Sequence, residues 1–271
     1  MIPETVLEDH SPEALAAANE ANYSEYYVYR VAHDSEVYDE PGLVMRVTGS
    51  PVPILNFVTR AHIAPENVDA SIAKVINRFK EKQVPGYWYV GPSTRPTEMG
   101  DMLERHGFIK LESRPGMGID LEILKNVPMP PGMVIEPIRD EGQLKGWVDV
   151  MLPGFEIPES FGGEAFKRML QLGLGPDLPA QNYLGSLDGK PVGVSTVFYG
   201  AGVAGIYSVA TLPEARGKGI GTAMTIKPLM DARQKGYRAG ILQSSPMGLS
   251  VYQKIGFREA CRINVYLWKP G

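Results

Sequence analysis

The stretch that decides the fold is Val209-Ala-Thr-Leu-Pro-Glu-Ala-Arg-Gly-Lys-Gly-Ile-Gly-Thr222, which continues a predicted strand over residues 204–210 and opens a predicted helix. Its three glycines fall within five residues and let the backbone approach a ligand without a Cβ in the way. Their amides, at the N-terminus of a helix, form an anion site. Arg216 and Lys218 add positive charge. The stretch therefore predicts a loop that binds a diphosphate.

The glycine spacing differs from that of other phosphate-binding loops. The pattern is G-x-G-x-G, so the third glycine of the dinucleotide fingerprint is missing. No Asp or Glu ends the next predicted strand, 238–243, where one would bind a ribose. A P-loop needs Ser or Thr after Gly-Lys, but Lys218 is followed by Gly219. A glycine-rich turn that binds nothing is the structural alternative.

A second segment, Ser245-Pro-Met-Gly-Leu-Ser-Val-Tyr-Gln-Lys-Ile-Gly-Phe257, follows the first after a predicted helix and strand. In this order the two segments resemble the two signatures of the GNAT superfamily of N-acetyltransferases, P-x-x-R-x-x-G-x-G and N-x-x-A-x-x-L-Y-x-K-x-G-F. The resemblance covers the C-terminal half and implies that this half binds acetyl-CoA. Ser245 stands where the signature has Asn, so one contact of the cofactor or its loop is expected to be shorter or absent.

The resemblance also implies which residues form the site. The diphosphate of CoA would be held by Arg216, Gly217, Lys218, Gly219, Ile220, Gly221 and Thr222. The pantetheine arm would pair with the backbone of Val209, Ala210 and Thr211, as an added strand does, and Ser245 completes the cofactor site. Tyr252 takes the position of a tyrosine that protonates the departing thiolate in many members. A phenol is neutral at pH 7 and has a pKa near that of an alkyl thiol. The alternative is that Tyr252 only packs on its own helix.

The chain contains an internal repeat, which predicts a tandem architecture. Ala64-Pro65-Glu66 parallels Leu212-Pro213-Glu214, and His106-Gly107-Phe108 parallels Ile255-Gly256-Phe257, at offsets of 148 and 149 positions. A Pro-rich segment separates the copies. The predicted fold class is α/β, with two tandem GNAT-fold domains, each a mixed twisted sheet flanked by helices. The predicted limits are a degenerate domain at 1–126, a linker at 127–132 and a catalytic domain at 133–271.

The N-terminal copy is predicted to have lost the chemistry. The repeat places residues 67–71 where the phosphate loop belongs; they include no glycine, and Asp69 would repel a diphosphate. Leu103 stands in place of Tyr252. Aromatic residues are abundant in this copy and are predicted to lie in a core or domain interface, with a substrate cleft between the domains as the alternative. They include Tyr23, Tyr26, Tyr27 and Tyr29.

Composition and charge exclude several function classes. The net charge is −4, divided into −7 for residues 1–131 and +3 for residues 132–271. This charge disfavours nucleic acid as a partner, and the basic half suits a polyanion better. No secretory signal and no apolar stretch of about 18 residues occurs, so no membrane partner is predicted. The single cysteine, Cys261, fits a reducing cytoplasm. All four histidines precede residue 107, so no metal site and no Ser-His or Cys-His pair is predicted in the C-terminal half.

The sequence thus predicts a cytoplasmic N-acetyltransferase that transfers acetyl directly from acetyl-CoA to a primary amine. Catalysis would come from proximity and from backbone amides near Val209 that polarise the thioester. The general base is left open among Glu156, Glu159, Tyr207 and water. A non-catalytic acyl-CoA-binding regulatory protein, O-acyl transfer and a longer acyl group are the alternatives. The acceptor, a small molecule or a peptide amine, and the oligomeric state are not chosen by any motif.

Overall fold

The computed structural model describes residues 5–40, 42–125 and 127–270, and this part of the chain forms helices and strands in alternation. The predicted limits at residues 1, 126 and 271 lie outside the described residues. In chain order the elements are α1 (Pro12–Arg30), β1 (Glu36–Glu40), β2 (Leu43–Val47), β3 (Asn56–Thr59), α2 (Val68–Glu81), β4 (Gly86–Val90), α3 (Met99–Arg105), β5 (Ile109–Asp120), β6 (Met133–Pro137), α4 (Glu141–Gly154), α5 (Gly162–Leu172), β7 (Ala180–Leu187), β8 (Lys190–Gly200), β9 (Val203–Thr211), α6 (Ile220–Gln234), β10 (Ala239–Gln243), α7 (Leu249–Ile255) and β11 (Arg258–Trp268).

The two halves repeat one order of elements. Three strands, a helix, a strand, a second helix and a final strand run from β1 to β5 and again from β7 to β11. The N-terminal half adds α1 before this unit, and the C-terminal half adds β6, α4 and α5. The predicted fold class, mixed α/β with tandem repeated domains, is confirmed.

The strands form one continuous mixed sheet rather than two separate ones. Its order is β1-β2-β3-β4-β11-β5-β10-β9-β8-β7-β6. The last strand of each half therefore lies in the sheet of the other half. β5 is inserted between β10 and β11, and β11 is inserted between β4 and β5.

The exchanged strands are held by extended antiparallel ladders. Ile119 of β5 is paired with Gly240 of β10, and Leu267 of β11 is paired with both Tyr87 of β4 and Ile109 of β5. The predicted linker, 127–132, lies in the irregular stretch between the end of β5 at Asp120 and the start of β6 at Met133. The two halves are nevertheless not separate hydrogen-bonded units, since each contributes a strand to the sheet of the other. Local sequence patterns do not show this exchange, because strand pairing is a long-range property. The predicted domain limits remain a proposal about chain segments.

Helix α1 of the N-terminal half packs on β5 and on strands of the C-terminal half. The side chain of Asn19 donates from Nδ2 to the carbonyl oxygens of Met117 (3.1 Å) and Leu242 (3.2 Å). Asn22 Nδ2 donates to the carbonyl oxygen of Gly200 at 2.8 Å. A Cβ at Gly205 would lie 2.1 Å from Asn22 Oδ1, so glycine is required for this close approach. Buried amides on α1 thus complete their hydrogen bonds on the sheet.

The helices divide between the two faces of the sheet. On one face, Ala204 and Ile206 of β9 pack in a core with Met224 of α6. On the other, Tyr207 packs with tyrosines of α1, and Ala210 packs with residues of α4. Successive side chains of a strand point to opposite faces. Helices α1 and α4 therefore share one face, and the candidate site lies between them.

Candidate functional site

Strand β9 is bent by a bulge at the point where the predicted pantetheine contacts begin. Tyr207 is paired with Thr196 of β8 and Ala210 with Val194, so two residues of β9 lie opposite a single residue of β8. Ser208 within the bulge has a φ of 51°, a left-handed conformation that is rare outside glycine. The bulge turns β9 away from its other neighbour.

β9 and β10 diverge after a short parallel ladder. They are paired only from Ala204 to Ile206. In the described part of the chain, the β9 backbone from Tyr207 to Thr211 has no partner on the β10 side. The following segment turns to β5 instead, where Ser244 N donates to the carbonyl oxygen of Pro115 at 2.9 Å. The strand edge formed by Val209, Ala210 and Thr211 is therefore available to a ligand with amide groups.

The glycine loop follows β9 and leads into the N-terminus of α6. Gly217 and Gly219 have φ values of 79° and 78°, and Gly219 is the N-cap of α6. The amides of Ile220, Gly221 and Thr222 lie in the first helical turn and have no acceptor inside the helix. No other described residue accepts a hydrogen bond from them. Unpaired amides at a helix N-terminus are the donors that the predicted anion site requires.

The loop also carries positive charge. Arg216 lies against the backbone, with Nη2 donating to the carbonyl oxygen of Gly154 at 3.1 Å and Nε donating to that of Thr211 at 3.4 Å. Lys218 is exposed beside it. These contacts hold the Arg216 guanidinium between the end of β9 and the end of α4, and the two cations add positive charge beside the amides.

The glycines leave room for a group of diphosphate size. A Cβ built at Gly217 meets no atom within 4 Å, and one at Gly219 meets only Pro130 Cγ at 4.0 Å. Gly221 has helical backbone angles, and a Cβ there would meet only Thr211 Oγ1, at 3.9 Å. Neither packing nor backbone conformation inside the protein requires glycine at 221. The cradle thus fits a diphosphate, whose oxygens would occupy the space in front of the amides.

Tyr252 and Ser245 follow β10 and lie across the gap between β9 and β10 from the β9 edge. Both line the same cavity as Val209. Burial raises the pKa of Tyr252 to about 12, and its ring packs edge-on against Phe257 at 6.0 Å. Its hydroxyl makes no hydrogen bond to the described residues. Ser245 Oγ accepts a hydrogen bond from Gly248 N at 3.2 Å and so stabilises the turn that precedes α7.

The cavity has a volume of about 480 Å³ and reaches from this divergence to the helices on the α1 face of the sheet. Its lining comes from both halves of the chain. The C-terminal half supplies Trp147 and Met151 of α4, Phe155, Ile157, Met169 of α5 and the β9 bulge. The N-terminal half supplies Tyr23, Tyr26, Tyr27, Tyr29 and Arg30 of α1, Ile54, and Glu112 and Arg114 of β5. The α1 tyrosines are packed aromatics, as predicted, and they also form a cavity wall.

One tyrosine of α1 reaches the bulge itself. The ring of Tyr26 stacks on that of Tyr207 with centroids 3.8 Å apart. The Tyr26 hydroxyl lies 3.5 Å from Ser208 Oγ. Tyr207 donates from its hydroxyl to Asn22 Oδ1 at 2.7 Å, and burial raises the Tyr207 pKa well above its usual value. Tyr207 is thus a neutral, hydrogen-bonded wall residue, which makes it a poor proton acceptor.

The carboxylates that the sequence offered as general bases do not line the cavity. Glu156 and Glu159 are exposed, and neither is among the lining residues. Among the described residues, the lining carboxylate is Glu112, whose Oε1 accepts from Arg114 Nε at 2.8 Å. Sequence reasoning missed Glu112 because it lies in the N-terminal half and reaches the site only through the exchanged strand.

The corresponding place in the N-terminal half is closed by hydrogen bonds. Arg95 N donates to the carbonyl oxygen of Ala61 at 2.9 Å, and Ile63 N donates to that of Arg95 at 3.1 Å. These bonds bridge the gap between the ends of β3 and β4. Asp69, in the first turn of α2, is paired with His106 at 2.8 Å, and Leu103 is fully buried in the core. This geometry agrees with the predicted loss of cofactor binding.

The described residues contain neither a cluster of metal-ligand type nor a membrane-spanning helix. No group of three or more His, Cys, Asp or Glu residues with the arrangement of a metal site occurs among them. Nor does any helix among them have the length and apolar character to cross a bilayer.

Comparison with known proteins agrees with this geometry. The model of the acetyltransferase (GNAT) domain matches residues 180–259. No curated protein sequence matches the chain. Solved structures similar to it include a GCN5-related N-acetyltransferase from Kribbella flavida, with 15% identity, coverage of 93% of this chain and 96% of that chain, and a TM-score of 0.73.

Two more structures match over the whole length. A GCN5-related N-acetyltransferase from Sphaerobacter thermophilus is 16% identical, covers 100% of this chain and 98% of that one, and has a TM-score of 0.61. A tandem GNAT protein from the clavulanic acid biosynthesis pathway is 14% identical, with the same coverage and TM-score. At these identities the structures establish the fold. The chain therefore has a tandem GNAT fold, and residues 180–259 in its C-terminal half match the GNAT acetyltransferase domain model.

Proposed function

We propose that the chain is an N-acetyltransferase that transfers the acetyl group of acetyl-CoA directly to a primary amine. The observation that carries the proposal is the divergence of β9 and β10 after Ile206, with the glycine loop at one end and the cavity at the other. An extended cofactor with an anionic end and a thioester end matches both features. The acceptor, a small molecule or a peptide amine, would enter the cavity from the α1 face.

Each part of the cofactor has a matching group on the protein. The amides of residues 219–222, with Arg216 and Lys218, would hold the diphosphate. The unpaired β9 edge at Val209, Ala210 and Thr211 would pair with the amides of the pantetheine arm. An amide of the bulge would then lie beside the thioester carbonyl and stabilise the charge that develops on its oxygen.

Tyr252 is the proposed general acid. It lines the same cavity as Val209, and burial raises its pKa to about 12. The phenol therefore keeps its proton across the whole physiological range. A thiolate leaving group that develops near it would take this proton, and the position of the ring is fixed by its packing on Phe257.

Glu112 is the proposed acceptor of the amine proton. Its Oε1 accepts from Arg114 Nε, while no described residue donates to Oε2. The carboxylate can thus accept a hydrogen bond from an ammonium group, directly or through water, and take its proton. Direct transfer needs no covalent enzyme intermediate, because binding in one cavity brings amine and thioester together.

The test is acetyl-CoA turnover measured as thiol release with a panel of primary amines. We expect amine-dependent release in the wild type and none in Gly221→Glu, whose side chain would occupy the place of the diphosphate. Mass spectrometry of the product should show an added acetyl group on nitrogen. CoA binding without release for any amine class would instead support the non-catalytic acyl-CoA-binding alternative, and absence of CoA binding would refute the proposal.

A further inference from the structure

The cavity that would hold the acceptor contains an uncompensated positive charge. Three guanidinium groups line it, those of Arg30, Arg114 and Arg168. Arg114 is paired with Glu112, which also lines the cavity. Arg168 is paired with Asp34 and with Glu164, the latter at 3.1 Å. Two of the three charges are therefore balanced by carboxylates of the chain.

Arg30 has no such partner. No carboxylate of the described residues lies within 4 Å of its guanidinium. Its neighbours are the rings of Tyr26 and Tyr27, whose centroids lie 5.5 Å and 5.7 Å from its Cζ. These cation–π contacts hold the guanidinium in place and leave its N–H groups without a charged acceptor.

The side chain of Tyr26 contacts both Arg30 and the β9 bulge, where the thioester would lie. Tyr26 carries the guanidinium of Arg30 over its ring and extends its hydroxyl to within 3.5 Å of Ser208 Oγ in the β9 bulge. A ligand whose amine lies at the bulge can therefore reach Arg30 with a group at the other end of a short body. The same cavity is also lined by the apolar and aromatic side chains of Trp147, Met151 and Met169.

We propose that the acceptor is an amine with an apolar or aromatic body and a carboxylate, and that Arg30 binds the carboxylate. The guanidinium fork matches a carboxylate with two parallel hydrogen bonds. One unpaired guanidinium balances one negative charge, whereas a phosphate dianion would bring a second charge into an apolar cavity without a partner. This inference rests on the proposed function, because it takes the cavity as the acceptor site.

A purely structural role for Arg30 is the competing explanation. Arg30 is in the last turn of α1, where a cation interacts favourably with the helix dipole. In that case the guanidinium would stabilise α1 and would not select a ligand. The two roles differ in one measurable property, since only the binding role makes affinity depend on the charge of the ligand.

The test uses a matched pair of probes, 3-phenylpropanoate and 3-phenylpropanamide, titrated into the full chain without acetyl-CoA. Binding is followed by the change in tryptophan fluorescence, which is assigned to Trp147 because Trp147 lines the cavity while Trp88 and Trp268 are buried in a separate core. We expect the carboxylate to bind roughly ten- to a hundredfold more tightly than the amide, the range for a hydrogen-bonded charge. Arg30→Gln should abolish this preference, and Arg30→Lys should retain part of it. Arg238→Gln, which removes a surface arginine paired with Glu122, should retain all of it.

Equal affinity for the two probes in the wild type would overturn the inference, as would failure of both to bind at their solubility limit. A preference that persists in Arg30→Gln would overturn the assignment to Arg30. The probe titration needs neither cofactor nor turnover, so it is independent of the thiol-release assay. Turnover of amines and of their carboxyl-amidated forms at equal rates would refute the anion site and leave the acetyltransferase proposal intact.

Discussion

Gly221 offers a test in which fold stability and cofactor binding are expected to change in opposite directions. It lies in the first turn of α6 with helical backbone angles, and a Cβ there would meet only Thr211 Oγ1 at 3.9 Å. Gly221→Ala should therefore stabilise the free protein, because alanine loses less conformational entropy in a helix. The gain is up to about 1 kcal/mol. For a chain of this size it corresponds to a rise in Tm of roughly 2–4 °C.

Affinity for CoA should fall in the same variant. The added methyl group would stand between the amides of the first turn and the diphosphate. A hydrogen bond to a charged group contributes about 1.5–3 kcal/mol, so loss of one such contact corresponds to roughly ten- to a hundredfold weaker binding. Isothermal titration with CoA measures this change, and a thermal melt without ligand measures the stability.

Gly163→Ala is the matched control. Gly163 is exposed in the first turn of α5, and a Cβ there would meet no atom within 4 Å. This variant should show a similar gain in Tm and unchanged affinity for CoA. If Gly221→Ala also binds CoA with wild-type affinity, the diphosphate does not lie at these amides and the assignment of the glycine loop is wrong.

Three further expectations concern catalysis and folding. Tyr252→Phe should retain CoA affinity and lower turnover by roughly a hundred- to ten-thousandfold. Because the Tyr252 pKa is about 12, the wild-type rate should show no phenol-dependent decline below pH 11. Normal turnover in the variant would show that Tyr252 is only a packing residue. Glu112→Gln should reduce kcat/KM most at neutral pH and progressively less as the amine loses its own proton; a loss that is constant with pH would indicate a positioning role. The fragment 133–271 lacks β5 and should therefore fail to fold as a monomer unless the N-terminal segment is co-expressed. Circular dichroism and gel filtration measure folding and oligomeric state. A folded monomeric fragment that binds CoA would contradict the prediction.

The cofactor side of the site could be predicted from the sequence because its signal is local. The glycines, the cations beside them and the start of α6 lie within a few consecutive residues, and backbone conformation follows from residue type at Gly217 and Gly219. Tyr252 is predicted from the resemblance of residues 245–257 to the second GNAT signature, which is also a short local motif. The roles given to these residues remain proposals.

The acceptor side could not be predicted, because it is made by long-range pairing. Strands β5 and β11 end the two halves with similar local patterns, so nothing in either segment shows that they exchange places. The exchange brings Glu112 into the cavity, while Glu156 and Glu159 remain exposed. The tyrosines of α1 predict a buried aromatic face. The strands that this face contacts are those whose carbonyl groups bind the amides of Asn19 and Asn22 and whose glycines allow α1 to approach closely.

The exchange of strands also makes the stability of each half depend on the other. Met117 and Ile119 of β5 are buried in the core that supports α6, so the C-terminal half needs the N-terminal strand for its stability. The same half supplies Arg30, Tyr26 and Glu112 to the cavity. Under the proposed function, the anchor for the cofactor and the wall that meets the acceptor lie in different segments of the chain. Substitutions on α1 would then alter acceptor choice without touching the glycine loop, because the two sets of residues share no side chain and meet only at the β9 bulge.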